Sequence, residues 1–268
     1  MTFLIRAAET CFALVMRLLP CRYRFQTALW LARATVPLFT RTAAYREQQI
    51  KNYHRPDEIV LFLLLNALAK NGTRFDLTID AKGYQHFQDA YARGRGVLVT
   101  GHHAALTLLM VRFLHDDGVA PIVITPDDRF AVPGTGVTAE TIQPSRMFLV
   151  QLRTRLREGR VVCAMPDRAE HHAGRTIEFE TAAGPKIMAP AIIEVAAHCG
   201  AAVVFTEVCV EGRRLVATIV PASATRDAHA IVTDFISFVR ECTAVRCAAN
   251  SQRETSRFRL LSLMAGRR

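Results

Sequence analysis

From about Asp80 onward, short apolar runs rich in β-branched residues alternate with amphipathic stretches, and this alternation constrains the fold more than any other feature of the sequence. The apolar runs are Gly96–Thr100, Pro121–Thr125, Val161–Met165, Ala202–Val210 and Leu215–Val220. The stretches with helical periodicity lie near Gln85–Arg93, Ala104–His115, Arg146–Arg157, Ala189–His198 and Ile231–Val245. Alternating strands and helices are typical of a parallel sheet covered by helices. The sequence therefore predicts an α/β fold with a mostly parallel central sheet flanked by helices.

Polar side chains follow three of the predicted strands at the point where each strand ends. His102 and His103 come after the first run, Arg129 lies shortly after the second, and Asp167 lies shortly after the third. Ligands of open α/β sheets bind at the carboxyl ends of the strands, so these residues are the first candidates for a functional site. The segment 126–144 is long and rich in proline and glycine, which predicts a functional loop.

Residues 1–19 predict an apolar helix with a narrow polar stripe. At about 100° per residue, Arg6, Thr10 and Arg17 project within about 40° of one another, and large apolar side chains occupy most other directions. Such a helix is typical of an anchor that lies in the surface of an anionic membrane. The alternative is an N-terminal helix packed on the core. The uninterrupted apolar runs are far shorter than the roughly 18–20 residues of a spanning helix.

Charge and hydropathy narrow the class of partner. The chain has 268 residues, half of them hydrophobic, and a formal net charge of +10. This composition excludes an extended disordered chain, and the charge favours a polyanionic partner, which is either nucleic acid or an anionic membrane. The arginines are scattered and no known nucleic-acid-binding motif occurs, so no nucleic acid is expected as a partner. The high hydrophobicity favours the membrane.

Three motifs, in a fixed order along the chain, carry a resemblance to a known family. The chain reads GRGVLVTGHHAALT at residues 94–107, LREGRVVCAMPD at 156–167 and APAIIEVAAHCGAAVVF at 189–205. The lysophospholipid acyltransferase superfamily, in its bacterial lipid A biosynthesis (late acyltransferase) branch, has G-x-G-V-[IL]-[LF]-[TA]-x-H-x4-[DE] and L-x-x-G-x-[VI]-x-x-x-x-D. It then has a helix of small residues followed by a G-A-x-V-V-P strand. From roughly Tyr84 to Pro221, the chain resembles this family.

The resemblance implies a catalytic role for His102. In the family the matching histidine is a general base, which takes the proton from an acceptor hydroxyl as that hydroxyl attacks an acyl thioester. The acid of the H-x4-[DE] motif corresponds to Thr107 in this chain. A hydroxyl can accept a hydrogen bond from the imidazole, but it supplies no charge to stabilise the imidazolium. The motif therefore departs from the family at the residue that orients the base.

Three readings of this departure stay open. Asp167, which matches the later Asp of the family, replaces the missing acid at the neighbouring strand end. Alternatively, His102 works with Thr107 at reduced efficiency. In the third reading the chain is a catalytically impaired homologue that binds lipid or acyl chains without transferring them.

Three arginines are candidates for binding an anionic substrate group, although the arginine motif of the family is not cleanly matched. Arg129 and Arg146 follow the second predicted strand along the chain, and Arg168 follows the matching Asp167. Guanidinium groups bind phosphate and polarise carbonyl oxygens. Apolar residues after the histidines either line an acyl groove or pack in the core, namely Leu106, Leu108, Leu109 and Met110.

These observations predict a membrane-associated acyltransferase that moves a fatty acyl group from acyl carrier protein or acyl-CoA to a lipid or amphipathic acceptor. We expect a membrane-associated helical segment at residues 1–56 and an acyltransferase-like α/β domain at 57–268, on the cytoplasmic face of a cell inner membrane. No cofactor or metal is expected. A metal-dependent hydrolase is a lesser alternative, because His102, His103, Asp167, His171 and His172 could form a ligand set, although their spacing does not repeat on one element.

Overall fold

The computed structural model describes residues 10, 12–41, 55–167, 174–225 and 227–265. After a helical segment at residues 12–18, the helices are α1 Cys21–Phe39, α2 Pro56–Lys70, α3 Tyr84–Ala92, α4 Leu109–Asp116, α5 Phe148–Arg157, α6 Ala191–Cys199 and α7 Ala228–Ala265. The strands are β1 Ile79–Lys82, β2 Val97–Thr100, β3 Ile122–Ile124, β4 Phe130–Ala131, β5 Thr138–Ile142, β6 Val161–Ala164, β7 Ile177–Thr181, β8 Gly184–Met188, β9 Ala202–Glu211 and β10 Arg214–Pro221.

One eight-stranded sheet forms the centre of the molecule, in the order β1-β10-β9-β2-β6-β3-β5-β4. Strands β9, β2, β6, β3 and β5 run parallel to one another. Strands β10 and β1 at one side and β4 at the other run in the opposite direction. Strands β7 and β8 form a separate antiparallel hairpin. The prediction of an α/β fold with a mostly parallel central sheet flanked by helices is confirmed.

Apolar cores lie on both faces of the sheet, and the side chains of β2 alternate between them. Val97 and Val99 belong to one core, together with buried residues of α1, α2 and α4. Leu98 belongs to the other, together with residues of α5, α6 and α7. All four residues of β2 are buried. A strand covered on both faces is continuously apolar rather than alternating, which is why GVLVT has this composition.

The predicted strands correspond to β2, β3, β6, β9 and β10, with each end within one residue of the prediction. The prediction of a loop at 126–144 is wrong in part, because this segment contains β4 and β5, and β5 pairs with β3 in parallel register. The helix predicted from Ala104 begins only at Leu109, after a turn. Neither β1 nor the β7–β8 hairpin was predicted.

Helix α1 has one buried side and one exposed side. The buried side belongs to the same core as Val97 and Val99 of β2, and it consists of Phe25, Ala28, Leu29 and Ala32. Trp30 is 66% exposed on the opposite side of the helix. Helix α1 is therefore packed on the α/β core by one side, while apolar side chains such as Trp30 remain exposed on the other.

No described helix is both long enough and apolar enough to cross a membrane. Residues 1–9, which include part of the predicted anchor helix, lie outside the described residues.

Candidate active site

The register of the sheet places β9 beside the histidine pair. Strand β2 ends at Thr100, which pairs with Phe205 in the middle of β9. Because β9 continues in the same direction, its next residues, Thr206 and Glu207, lie beside Gly101 and His102. The candidate site is thus at the carboxyl edge of the parallel strands, where the sequence predicted it.

The carboxylate of Glu207 forms a hydrogen bond with the imidazole of His102. The Nε2 atom of His102 lies 2.9 Å from Oε1 of Glu207, and the His102 side chain is only 2% exposed. An ionised carboxylate only accepts hydrogen bonds, so Nε2 carries the proton and donates it to Glu207. In the neutral imidazole this tautomer leaves Nδ1 as the acceptor atom. Nδ1 is buried and has no hydrogen-bond partner among the described residues.

Glu207 is part of a buried ion network that joins β9 to α2 and α7. Arg246 of α7 donates from Nε to Glu207 and from Nη1 to Glu58 Oε2, the latter at 2.6 Å. Glu58 of α2 also accepts from Arg55 and from the backbone N–H of Val210, the latter at 2.9 Å. The side chains of Glu58 and Arg246 are 0% and 7% exposed. Opposite charges alternate along this network, so each buried charge has a partner.

The network fixes the charge of Glu207. Burial by itself would raise the pKa of Glu207, but the hydrogen bond from His102 and the charge of Arg246 outweigh burial and hold this pKa well below its usual range. The Cys242 thiol also donates to Glu207, and burial raises the pKa of Cys242 above its ordinary value. Glu207 is therefore an anion that orients one imidazole nitrogen and stabilises an imidazolium if the other nitrogen takes a proton.

An apolar cavity of about 490 Å³ opens at the same edge of the sheet. Near the end of β2 the cavity is lined by Gly101, His103 and Thr107. His102 is not among the described residues that line it. The remaining wall is mostly apolar and includes residues of α1, α2, α4, β3 and β6, among them Phe39, Ile59, Phe62, Leu63, Met110 and Val123. Its size and lining suit a small molecule with a large apolar part.

Thr107 and Asp167, the two expected partners of His102, do not hydrogen-bond to it among the described residues. Thr107 is 4% exposed, and its Oγ1 has no described partner. Asp167 instead accepts from the backbone N–H of His103 at 2.7 Å and from Lys186 Nζ at 3.4 Å. Asp167 therefore fixes the backbone of the histidine pair and not the His102 ring. The His103 ring approaches Met165, with 3.1 Å between Nδ1 and Sδ.

The two candidate arginines that the structure describes are not brought together with the histidines. Arg129 and Arg146 are exposed. Neither lines the cavity, although each is close in sequence to a residue that does, namely Phe130 and Pro144. Arg168 lies outside the described residues, as do His171 and His172. Of the four apolar residues expected near the acyl groove, Leu108 and Met110 line the cavity, whereas Leu106 and Leu109 belong to the core and not to the cavity wall.

Two other chemistries fit the site poorly. Burial raises the pKa of Cys163, a cavity residue, to about 12, so this cysteine is a neutral thiol and a poor nucleophile.

His102, Glu207 and Cys242 place ligand atoms within 4.8 Å of one another, a spacing that could suit a metal ion. However, Arg246 already contacts the same Glu207 oxygen as His102, and burial keeps the Cys242 thiol protonated. A cation would have to displace Arg246.

Sequence reasoning missed Glu207, because it is 105 positions from His102 in the chain. A signal was present, because Glu207 interrupts the apolar run AVVFTEVCV. A carboxylate in a strand or helix that is otherwise apolar is costly to bury unless a partner meets it. Such residues indicate a buried ion pair, although they do not identify the partner.

No protein-family model matches this chain, and no curated protein matches it. The resemblance carried by the three sequence motifs therefore stays a prediction.

Proposed function

We propose that this protein is a membrane-associated acyltransferase, which moves a fatty acyl group from acyl carrier protein or acyl-CoA to a lipid or amphipathic acceptor. The observation that carries the proposal is the apolar cavity ending at the histidine pair, with a buried carboxylate holding one of the two imidazoles. The cavity supports binding of an acyl chain, and the His102–Glu207 pair supports removal of a proton from an acceptor. The proposed location is the cytoplasmic face of a cell inner membrane.

In the proposed reaction, Nδ1 of His102 takes the proton from the acceptor hydroxyl or amine as its oxygen or nitrogen attacks the thioester carbonyl. The bond between the carbonyl carbon and the sulfur then breaks, and the imidazolium returns the proton to the departing thiolate. Glu207 stabilises the imidazolium between these two steps without itself taking the proton. The reaction balances without a metal ion, an oxidant or a reductant.

The test is acyl transfer from labelled acyl carrier protein into membrane lipid, at equal amounts of folded protein. His102→Ala should lower the rate by about 10²–10⁴-fold, since a general base contributes about that much. Glu207→Gln should lower it by about 10²-fold or more, because the imidazolium loses its counter-charge. His198→Ala, at an exposed histidine of α6, is the matched control and should leave the rate unchanged.

A different pattern of lost activity among the variants would change which histidine is assigned as the general base. If transfer is lost in His103→Ala and retained in both His102→Ala and Glu207→Gln, the cavity-lining histidine is the base and the His102–Glu207 pair has a structural role. His103→Ala therefore belongs in the same assay.

One observation favours a second candidate function, which is acyl-chain binding without catalysis. His102 is 2% exposed and is separated from the cavity lining, although Gly101 and His103 on either side of it line the cavity. If His102 cannot reach the acceptor, it cannot act as a base, and the protein would then bind lipid without transferring an acyl group. Wild type that binds acyl thioester but transfers no label would support this second function and contradict the first.

A further inference from the structure

Two threonines that line the candidate acyl cavity have buried hydroxyl groups without a hydrogen-bond partner among the described residues. Thr107 and Thr206 are 4% and 2% exposed. Their Oγ1 atoms have no hydrogen-bond partner among the described residues, and both residues line the cavity. Buried hydroxyls in proteins nearly always form a hydrogen bond, so two unpaired ones in a single cavity need an explanation.

The two threonines flank Gly101 at the end of β2. A Cβ atom built on Gly101 would lie 2.2 Å from the carbonyl oxygen of Thr206 and 3.0 Å from Cγ2 of Thr107. All three residues are therefore in close contact at the end of the cavity that His103 also lines. Other parts of the wall are formed by apolar side chains of α1 and α2, such as Phe39 and Phe62. The cavity thus has one end with polar donors and a wall that is otherwise mostly apolar.

This arrangement matches a ligand with an oxygen acceptor at one end and an apolar chain at the other. A hydroxyl can donate to a carbonyl oxygen, and the apolar wall can bury the chain that follows it. The two hydroxyl donors are neutral and no described arginine or lysine lines the cavity, so they suit an uncharged carbonyl better than a phosphate. The position of the threonines beside the histidine pair would place that carbonyl next to the reacting groups.

We propose that the hydroxyls of Thr107 and Thr206 donate hydrogen bonds to the carbonyl oxygen of a bound fatty acyl thioester. This inference rests on the proposed function and adds to it the orientation of the donor substrate: carbonyl at the β2 end, chain toward α1 and α2. Thr107, which occupies the motif position of the family's acid, is then a contact to the substrate and not the group that orients His102.

The test compares two ligands that differ only in the carbonyl oxygen, dodecanoyl-pantetheine and its dodecyl thioether, by calorimetric titration of the full-length protein. Wild type should bind the thioester about tenfold more tightly than the thioether, a preference that one or two hydrogen bonds can supply. Thr107→Val and Thr206→Val should each lose most of this preference while binding the thioether as wild type does. Val has nearly the shape of Thr, so the cavity volume is retained.

Thr243→Val is the matched control, because Thr243 is as buried but donates to the carbonyl of Val239 on α7 and lies outside the cavity. It should keep the preference for the thioester. Its thermal midpoint should fall because a hydrogen bond is lost, whereas Thr107→Val and Thr206→Val should melt at or above the wild-type temperature. A lower midpoint in both cavity variants would mean that the hydroxyls have structural partners, and would contradict the inference.

The remaining outcomes separate this inference from the proposed function. If wild type binds both ligands equally, or if the valine variants keep the preference, the threonines do not contact the carbonyl and the inference fails, while the acyltransferase proposal stands. If wild type binds neither ligand, the cavity is not an acyl site and both proposals fail. Preference for the thioester without any transfer of label would support the inference and contradict acyl transfer.

Discussion

At the scale of single residues, the low pKa of Glu207 links the stability of the fold to pH. Because this pKa is lower in the folded protein than its ordinary value of 4.5, the ionised carboxylate stabilises the folded state above that pH. The stabilisation is lost as the pH falls from about 4.5 through the lower, folded value. The same ionised form that orients His102 therefore also holds the folded state together.

Glu207→Gln should lower the free energy of unfolding by about 2–3 kcal/mol at neutral pH, since the hydrogen bonds from His102 and Arg246 lose their charged acceptor. The deficit relative to wild type should shrink as the pH falls below about 4.5, because the wild-type carboxylate is then progressively protonated. Urea denaturation followed by circular dichroism over a pH series measures this. Glu211→Gln, at an exposed position of the same strand, is the control and should show little change. A loss of stability that does not depend on pH would contradict the lowered pKa of Glu207 in the folded protein.

Gly101 is required by packing and not by its backbone conformation. A Cβ on Gly101 would come within 2.2 Å of the carbonyl oxygen of Thr206, so Gly101→Ala must push β9 away from the end of β2. We expect it to destabilise the fold by about 1–3 kcal/mol and to weaken binding of an acyl thioester, because Thr107 and Thr206 move apart. Gly118→Ala, where the positive φ strains the backbone but nothing lies within 4 Å of the new Cβ, should cost some stability and leave binding unchanged. Unaltered binding in Gly101→Ala would contradict the close packing of these residues.

At the scale of secondary-structure elements, Arg246 connects three of them. It lies on α7 and contacts Glu207 on β9 and Glu58 on α2. Removal of one member of a buried ion pair leaves the other uncompensated in a medium that solvates charge poorly. The packing of α7 and α2 against the extended end of β9 therefore depends on the complete network.

Arg246→Met should lower the free energy of unfolding by about 3–5 kcal/mol, and Glu58→Gln by a similar amount. The double variant should cost less than the sum of the two, because the residues interact directly and each single change already breaks their contact. Equilibrium urea denaturation of the four proteins measures the coupling. Arg240→Met, at an exposed arginine of the same helix, should have a small effect. Additive losses would show that Arg246 and Glu58 stabilise the fold independently.

The elements that sequence patterns predicted are those that lie in the middle of the sheet. Strands such as β2 and β6 are buried on both faces, and a continuous apolar run bounded by glycine or proline identifies them. Strand β4 has two residues and β5 reads TAETI, a mostly polar segment beside the edge of the sheet, so neither stands out from a loop. Their pairing depends on β3, which local periodicity does not reveal.

The location of the candidate site at the carboxyl edge of the sheet follows from the sequence, but the contacts of His102 do not. His102, at the end of β2, lies where strand topology places ligands. Its partner Glu207 depends on β9 being longer than β2, so that β9 runs past Thr100 and presents a carboxylate beside the histidine. Strand length of this kind comes from tertiary packing, and a motif that counts five positions from the histidine cannot detect it.

At the scale of the whole molecule, the N-terminal helices present apolar side chains to solvent on a chain that carries a net charge of +10. Leu18 is 85% exposed, Leu38 is 69% exposed and Trp30 is 66% exposed. Tyr23 and Trp30 are seven residues apart on α1, so they lie on the same side of the helix, away from its buried side. Phe39 at the end of α1 and the half-exposed Leu63 of α2 line the candidate acyl cavity. A membrane bound to this surface would therefore lie next to the cavity that we propose for the acyl chain.

Trp30 is the single tryptophan of the chain, so it reports on this surface directly. We expect anionic vesicles at low salt to shift its fluorescence to shorter wavelength and to carry the protein into the pellet, because the apolar side chains enter the interface and the arginines meet lipid phosphate. Added salt should weaken the binding by screening the charges. Leu18→Ser and Leu38→Ser should each weaken it by about tenfold, whereas Val245→Ser, at an exposed valine of α7, should not. Tryptophan emission that stays unchanged while the protein remains in the supernatant would contradict membrane association through these helices.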